Sequence, residues 1–257
     1  MREKIDIPKD HPRYTSLIAR EKLVDGFEKG LVAQEGLIAH GRGESFDYLF
    51  GEKTIEPALH AINAASALLL LAYKPIISVN GNTAALCGKE ICLLNQVLER
   101  SLIEINLFYR YGNREHIIAN ELRNYGIRKI LGIDPDNLTQ IPELSSNRRK
   151  VDKEGIFIAD VVFVPLEDGD RTIALKKMNK KVVCIDLNPL SRTSVSSDIS
   201  IVDNIVRAIP QLIKNIEYHN KNSTEKELKD IVNRFNNKDV IKESLDVLKS
   251  SKTLINF

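Results

Sequence analysis

Hydrophobic positions change their rhythm along this chain, and the change divides it. Over residues 14–33, Leu17, Ile18, Leu23, Val24 and Phe27 recur at three-to-four spacing with charges between them, which predicts an amphipathic helix. Residues 57–72 predict a second helix, opening with Pro57 in its first turn. It is rich in Ala and Leu nearly all round, so it is expected to be buried or to sit at a subunit contact. From residue 75 onward short apolar runs alternate with helical stretches. Strands are predicted at 76–79, 103–108, 129–133, 159–166, 181–187 and 199–202, and helices at 83–100, 114–125, 171–178 and 204–218. The polar stretch 136–154 carries no predicted element.

Strand alternating with helix is the signature of a parallel sheet covered on both faces. The expected fold is therefore α/β: a Rossmann-like, doubly wound, mainly parallel sheet over residues 75–218. An N-terminal helical layer, 1–74, packs on it. The tail, 219–257, has heptad-like apolar positions at Ile231, Phe235, Val240, Leu245 and Leu248, predicting one or two surface helices. The whole is expected to form one compact domain.

Composition narrows the function. A chain of 257 residues can bury roughly 70–75% of its unfolded surface, enough for a core without disulfides. Lys and Arg number 37 against 35 Asp and Glu, a net charge of +2, so bulk charge gives no reason to expect a nucleic-acid partner. Cys87, Cys92 and Cys184 have no C-x-x-C spacing and read as reduced core thiols. Residues 1–8 are charged and lack the apolar segment of a signal peptide. The most apolar run, 61–73, is shorter than the about 20 residues that cross a bilayer. No membrane association and a cytoplasmic location are the expectations.

Chemistry is sought beyond the carboxyl ends of the strands, where open parallel sheets bind ligands. Those loops read Asn80-Gly81-Asn82-Thr83, Tyr109-Arg110-Tyr111-Gly112-Asn113, Glu167-Asp168-Gly169-Asp170-Arg171-Thr172 and Asn188-Pro189-Leu190-Ser191-Arg192-Thr193. Turn chemistry explains Gly, Pro and Asn. Arginine beside Ser or Thr at a helix start also suits a phosphate. A second dense patch runs from Gly36 to Tyr48, with glycines on both sides of Arg42 and with His40, Glu44 and Asp47 able to move protons. It is read as a polar, ligand-approaching loop. It matches neither the Walker A pattern nor the dinucleotide fingerprint, since Phe46 stands where the latter wants glycine. The five histidines show no paired ligand spacing, so a structural zinc is not expected.

These strings, taken with Ile7-Pro8, His11-Pro12-Arg13-Tyr14, Ala19-Arg20-Glu21-Lys22, Val164-Pro165-Leu166 and Ile185-Asp186-Leu187, resemble the archaeal phosphopantothenate synthetase family. The resemblance runs in order from about residue 7 to 218. It implies an ATP-dependent ligase of coenzyme A biosynthesis that joins 4-phosphopantoate to β-alanine through a pantoyl-adenylate, releasing AMP and diphosphate, and acts as a homodimer. It also implies that ATP lies against Arg20, Arg42, Asp186, Leu187, Asn188, Arg192, Thr193, Asn204 and Ile205. Mg²⁺ is expected to arrive with the nucleotide, because it keeps waters and borrows phosphate oxygens.

By chemistry alone, Asn80, Gly81, Asn82, Asp168, Asp170 and Arg171 are candidates for the acid, the metal or β-alanine. His40, Glu44 and Asp47 are candidates for the group that takes a proton from the β-alanine ammonium, His40 first because its ordinary pKa is near ~6.5. Two other classes remain for the same residues: a non-catalytic sensor of nucleotides or phosphorylated metabolites, and a nicotinamide-dependent oxidoreductase.

Overall fold

A computed structural model describes residues 6–250; the first five residues of the charged N-terminus and the last seven of the tail lie outside the described part. Six parallel strands form the central sheet: β1 (Pro75–Val79), β2 (Leu102–Ile105), β3 (Ile130–Leu131), β6 (Val161–Pro165), β7 (Lys181–Ile185) and β8 (Ile199–Ile201), in the order β3-β2-β1-β6-β7-β8. Every residue of β1 and β6 is buried, because both sheet faces are covered and no face is left for polar alternation. The expected doubly wound parallel sheet is thus present.

Its topology decides where a ligand can sit. The chain builds β1, β2 and β3 outward in one direction, then returns to β1's other side to build β6, β7 and β8 in the opposite direction. The connections on either side of the β1/β6 boundary depart in opposite directions, leaving a crevice beyond the strand ends. Asn80 spans it, donating through Nδ2 to the carbonyls of Pro165 (3.2 Å) and Leu166 (3.0 Å).

Helices α1 (Tyr14–Glu28), α2 (Gln34–Leu49) and α3 (Glu56–Leu71) precede the sheet. One reading is corrected here. The patch from Gly36 to Tyr48 is helix α2 rather than a loop, despite its three internal glycines. Side chains from α1 and from Asn204, far along the sequence, hold it: Glu44 accepts from Ser16 Oγ (2.6 Å) and Arg20 Nε (2.8 Å), and Asp47 accepts from Asn204 Nδ2 (2.8 Å). Tertiary bonds override the weak helix propensity of glycine. Helix α3, expected to be buried or to sit at a subunit contact, is largely buried within the chain, against α8 (Ile205–Asn222), α9 (Glu225–Arg234), α10 (Asn237–Ser250) and β8.

The tail is more than a surface appendage. Leu228 and Val240 are buried, and the Asn237 side chain accepts from Ser200 N and donates to Ser194 O and Ser197 O, stitching α10 to the sheet edge. The polar stretch without a predicted element contains a small antiparallel pair, β4 (Leu138–Gln140) and β5 (Lys150–Asp152). It hangs from β2. Buried Glu104 accepts from Asp152 N (3.1 Å) and Ile156 N (2.6 Å), and Asn106 Nδ2 donates to Arg148 O (3.2 Å) and Lys150 O (2.9 Å).

Helices α4 (Gly81–Val97), α6 (Gly169–Lys177) and α7 (Arg192–Ser196) begin beside this crevice, capped by Asn80, Asp168 and Ser191. Each cap accepts a backbone N–H of its helix's first turn, as short polar residues do at such ends. Helix α5 (Arg114–Asn124) follows the β2 loop and starts after Asn113 in a left-handed conformation, φ 60°. Among the described residues no helix is long and apolar enough to cross a membrane.

Candidate active site

One cavity of about 600 Å³ opens at the β1/β6 boundary, within the usual size for a small-molecule site. Four strand-end loops and one face of α2 line it. From α2 come His40 and Arg42; from the β1 loop Asn80, Gly81 and Asn82; from the β6 loop Glu167 and Asp168. Asp186, Leu187, Asn188, Arg192 and Thr193 follow β7, and Tyr109 and Arg114 follow β2. Arg148 arrives from the β4–β5 insert.

Close packing brings the loops together. Asn82 Nδ2 donates to Gly36 O at 2.8 Å, and a Cβ on Gly36 would lie 2.4 Å from Asn82 Oδ1. A Cβ on Gly169 would lie 2.3 Å from Arg192 Cβ, so this glycine lets α6 and α7 start side by side. Thr193 Oγ1 donates to Glu167 O at 2.9 Å, fixing the same pair of loops.

The ionisable groups on the wall differ in state. Burial pushes the His40 pKa below its ordinary value, although Glu44 and Asp47 oppose the shift, so the imidazole is neutral and able to accept a proton near pH 7. Burial raises Asp186, which accepts from Ser191 Oγ (2.6 Å) and Asn188 N (2.9 Å), with Arg42 near enough to favour its charge. Asp168 is also raised, by burial and the neighbouring Glu167. Glu167 itself is held low despite its burial, because Arg148 and Arg171 flank it.

Of the residues singled out from sequence, seven do not line the cavity. Glu44 is bonded to Ser16 and Arg20, and its carboxyl is held below the usual range by those bonds in spite of burial. Arg20 is engaged there; it reaches the site only by its electrostatic influence on His40. Asp47, 1% exposed, is ion-paired with Arg207. Arg171 is fully buried, bound to Glu167 and to Ser78 Oγ of β1. Asp170 is exposed and pairs with Arg192 at 2.6 Å. Asn204 caps α8, and Ile205 beside it is 1% exposed.

Two arginines on the wall escaped the sequence reading. Arg114 opens α5 straight after an aromatic strand-end loop, so its place beyond β2 was a usable signal. Arg148 lies in the polar stretch where no periodicity marks an element.

No cluster of three or more metal-ligating side chains occurs among the described residues. Of the carboxylates on the wall, Glu167 is held by Arg148 and Arg171, and Glu35, Asp168 and Asp186 are the groups that could approach a cation held by a polyphosphate.

The sequence profile of the family described as phosphopantothenate/pantothenate synthetase matches residues 57–251. Proteins named 4-phosphopantoate--beta-alanine ligase are similar over most of the chain. The one from Thermococcus kodakarensis is 56% identical over 234 residues, covering 91% of this chain and 88% of its own. The one from Methanosarcina mazei is 49% identical over 240 residues, 93% of each. The one from Methanospirillum hungatei is 49% identical over 208 residues, 81% of this chain and 84% of its own. The match extends through α9 and α10, beyond the point at residue 218 where the sequence resemblance was placed.

Proposed function

Since the chain belongs to the phosphopantothenate/pantothenate synthetase family, we propose that it is an ATP-dependent ligase that condenses 4-phosphopantoate with β-alanine. The observation that carries this reading is the sharing of one cavity by guanidinium groups from separate segments, Arg42 and Arg192 on one side, Arg114 and Arg148 on the other. Two phosphorylated substrates need such a pairing, and a protein with a net charge of only +2 supplies it locally.

A carboxylate does not accept an amine at neutral pH until one oxygen becomes a good leaving group. In the proposed first step a carboxylate oxygen of 4-phosphopantoate attacks the α-phosphorus of ATP, and the bond to the β-phosphate breaks to release diphosphate. Asp186 suits a ribose hydroxyl, as acidic residues do at strand ends of related architecture, and Arg42 and Arg192 suit the phosphates. In the second step the β-alanine amine attacks the acyl carbon, AMP leaves, and the surplus proton passes to a base. His40 is that base in this reading: it is on the wall and neutral, whereas Glu44 and Asp47 are held in ion pairs away from the wall. Asp168 would approach a Mg²⁺ held by the nucleotide, whose charge would ease diphosphate departure.

Arg20 and Asn204 hold α2 through Glu44 and Asp47, and with Ile205 they stay part of the proposal as ATP contacts. Arg171 and Asp170 likewise position the β6 and β7 loops. A homodimer remains part of the proposal, and sedimentation at micromolar concentration tests it. Incubation with ATP, 4-phosphopantoate and β-alanine tests the activity itself. The ligase reading expects AMP and diphosphate in equal amounts, dependent on all three substrates; binding without turnover would favour a sensor.

A further inference from the structure

An acyl adenylate accepts water as well as an amine. When β-alanine attacks, the amide forms and AMP leaves. When water attacks, its oxygen bonds to the acyl carbon, the bond from that carbon to the AMP oxygen breaks and a proton goes to the base. The acid is then returned unchanged and ATP is consumed for nothing. The base does not tell the two acceptors apart, because a neutral His40 on the wall takes a proton from either. Discrimination has to come from keeping water out of the occupied site.

One side chain on the cavity wall is suited to that. Among the described residues that line the cavity, the exposed ones are Glu35, Ala39 and Arg42 on α2, Phe108 after β2 and Arg192 after β7. Three of these are charged, and Ala39 offers a single methyl group. Phe108 alone is large and apolar, and it stands 41% exposed at the mouth. A single exposed phenylalanine on an open surface would mean little. At the lip of a cavity that holds a water-sensitive intermediate it has work to do.

The backbone beneath this ring is pinned. Phe108 O accepts from Asn147 Nδ2 of the β4–β5 insert at 3.1 Å, and the next carbonyl, Tyr109 O, accepts from Arg114 Nη1 at 2.6 Å. The ring itself packs on that of Tyr109, with centroids 4.9 Å apart and planes at 51°. Rotation about the side-chain bonds therefore moves the ring over the mouth while the loop stays in place. Helix α2 lines the cavity through Gly36, Ala39 and Gly43, whose small side chains leave room for a ring to swing inward. Covering the ring with bound ligand removes apolar surface from water, so occupancy of the site itself favours the inward position.

We propose that the Phe108 ring is a specificity-determining group of the reaction: it closes the mouth over the bound adenylate and reserves the acyl carbon for the amine against water. This rests on the ligase reading above. Asn147 supports it from the insert by holding the Phe108 carbonyl, which gives the β4–β5 pair a part in the chemistry although it lies outside the main sheet.

The test counts products. Phe108→Ala is incubated with ATP, 4-phosphopantoate and limiting β-alanine, and AMP and amide are measured together. The unaltered protein should make them in equal amounts. Phe108→Ala should lose that equality, with AMP in excess and the excess shrinking as β-alanine is raised, because amine and water compete for one acyl carbon. Phe108→Leu should restore the equality in large part, since a bulky apolar side chain again covers the mouth; a merely structural role would change rates and leave the ratio alone. In ¹⁸O-labelled water the label should enter the carboxylate of the recovered acid. Equal AMP and amide in Phe108→Ala, or label in AMP in place of the acid, would overturn the proposal. Should Phe108→Ala fail to fold, Phe108→Val carries the same comparison. An unaltered protein that releases no AMP would remove the ligase reading and this proposal together, whereas equal products in protein and variant alike would leave the ligase reading standing and remove the shield alone.

Discussion

Asn80 donates through Nδ2 to the carbonyl of Leu166 at 3.0 Å, and that bond ties together the two strands whose ends part to form the cavity. Its Oδ1 meanwhile accepts from Thr83 N at 3.0 Å, capping α4. One side chain thus sets the width of the crevice and the position of the helix end that faces it. Leu166 needs such fixing, since it holds φ 57° without being glycine.

Asn80→Asp separates these two jobs. The carboxylate still caps α4 but cannot donate across the crevice, and it faces two carbonyl oxygens. Stability should fall by about 1–3 kcal/mol, the cost of an unmet buried group, and kcat/KM should fall further than the melting temperature alone explains. Thermal melts with matched kinetics check both; a variant of full stability and full activity would show the bridge to be dispensable.

Glycines in and near α2 and α4 give opposite expectations. A Cβ on Gly81 would meet Leu31 O at 2.1 Å, a backbone atom that cannot step aside, so Gly81→Ala should destabilise the fold by about 1–3 kcal/mol. Gly41, exposed within α2, has open space around it, and Gly41→Ala should stabilise by roughly 0.5–1 kcal/mol through helix propensity while leaving turnover unchanged. Chemical denaturation measures the pair side by side.

The same contrast shows what the sequence could and could not disclose. The alternation of apolar runs with helical period revealed the parallel sheet because β1, β6 and their neighbours are buried on both faces. Asn80, Asp168 and Ser191 were visible as helix starts, since cap chemistry is local. Helix α2 was hidden because its glycines read as a loop, and its helical state depends on bonds from Ser16, Arg20 and Asn204, the last 157 residues from its partner Asp47. Arg148 was hidden because Glu104 on β2 and Asn106 just after it, far earlier in the sequence, hold the insert that carries it. Local signals survive in sequence; long-range tethering does not.

His40 gives a pH prediction with a definite sign. Burial lowers its pKa, so the neutral form persists below the ordinary imidazole range. The acid limb of kcat/KM should therefore fall below pH ~6.5, and His40→Gln should remove that limb along with most of the turnover. Near-normal turnover in His40→Gln at saturating substrates would remove its role as base.

Glu104 gives a second, in stability. Burial pushes its pKa up to about 7 from an ordinary 4.5. Between those values the folded chain holds a proton that the unfolded chain has released, so this group's contribution to stability declines as pH rises from 4.5 to about 7. Glu104→Gln should flatten that part of the profile. Urea titrations across the interval measure it, and an unaltered slope would mean that another group is responsible.

The central claim, that one cavity unites an acid and ATP so that the acid is adenylylated, is tested most directly with 4-phosphopantoate carrying ¹⁸O in its carboxylate. Attack at the α-phosphorus followed by amide formation must leave one labelled oxygen in the phosphate of AMP, and mass spectrometry of the nucleotide product should find it there. Label appearing in orthophosphate, with ADP as the nucleotide product, would contradict the account.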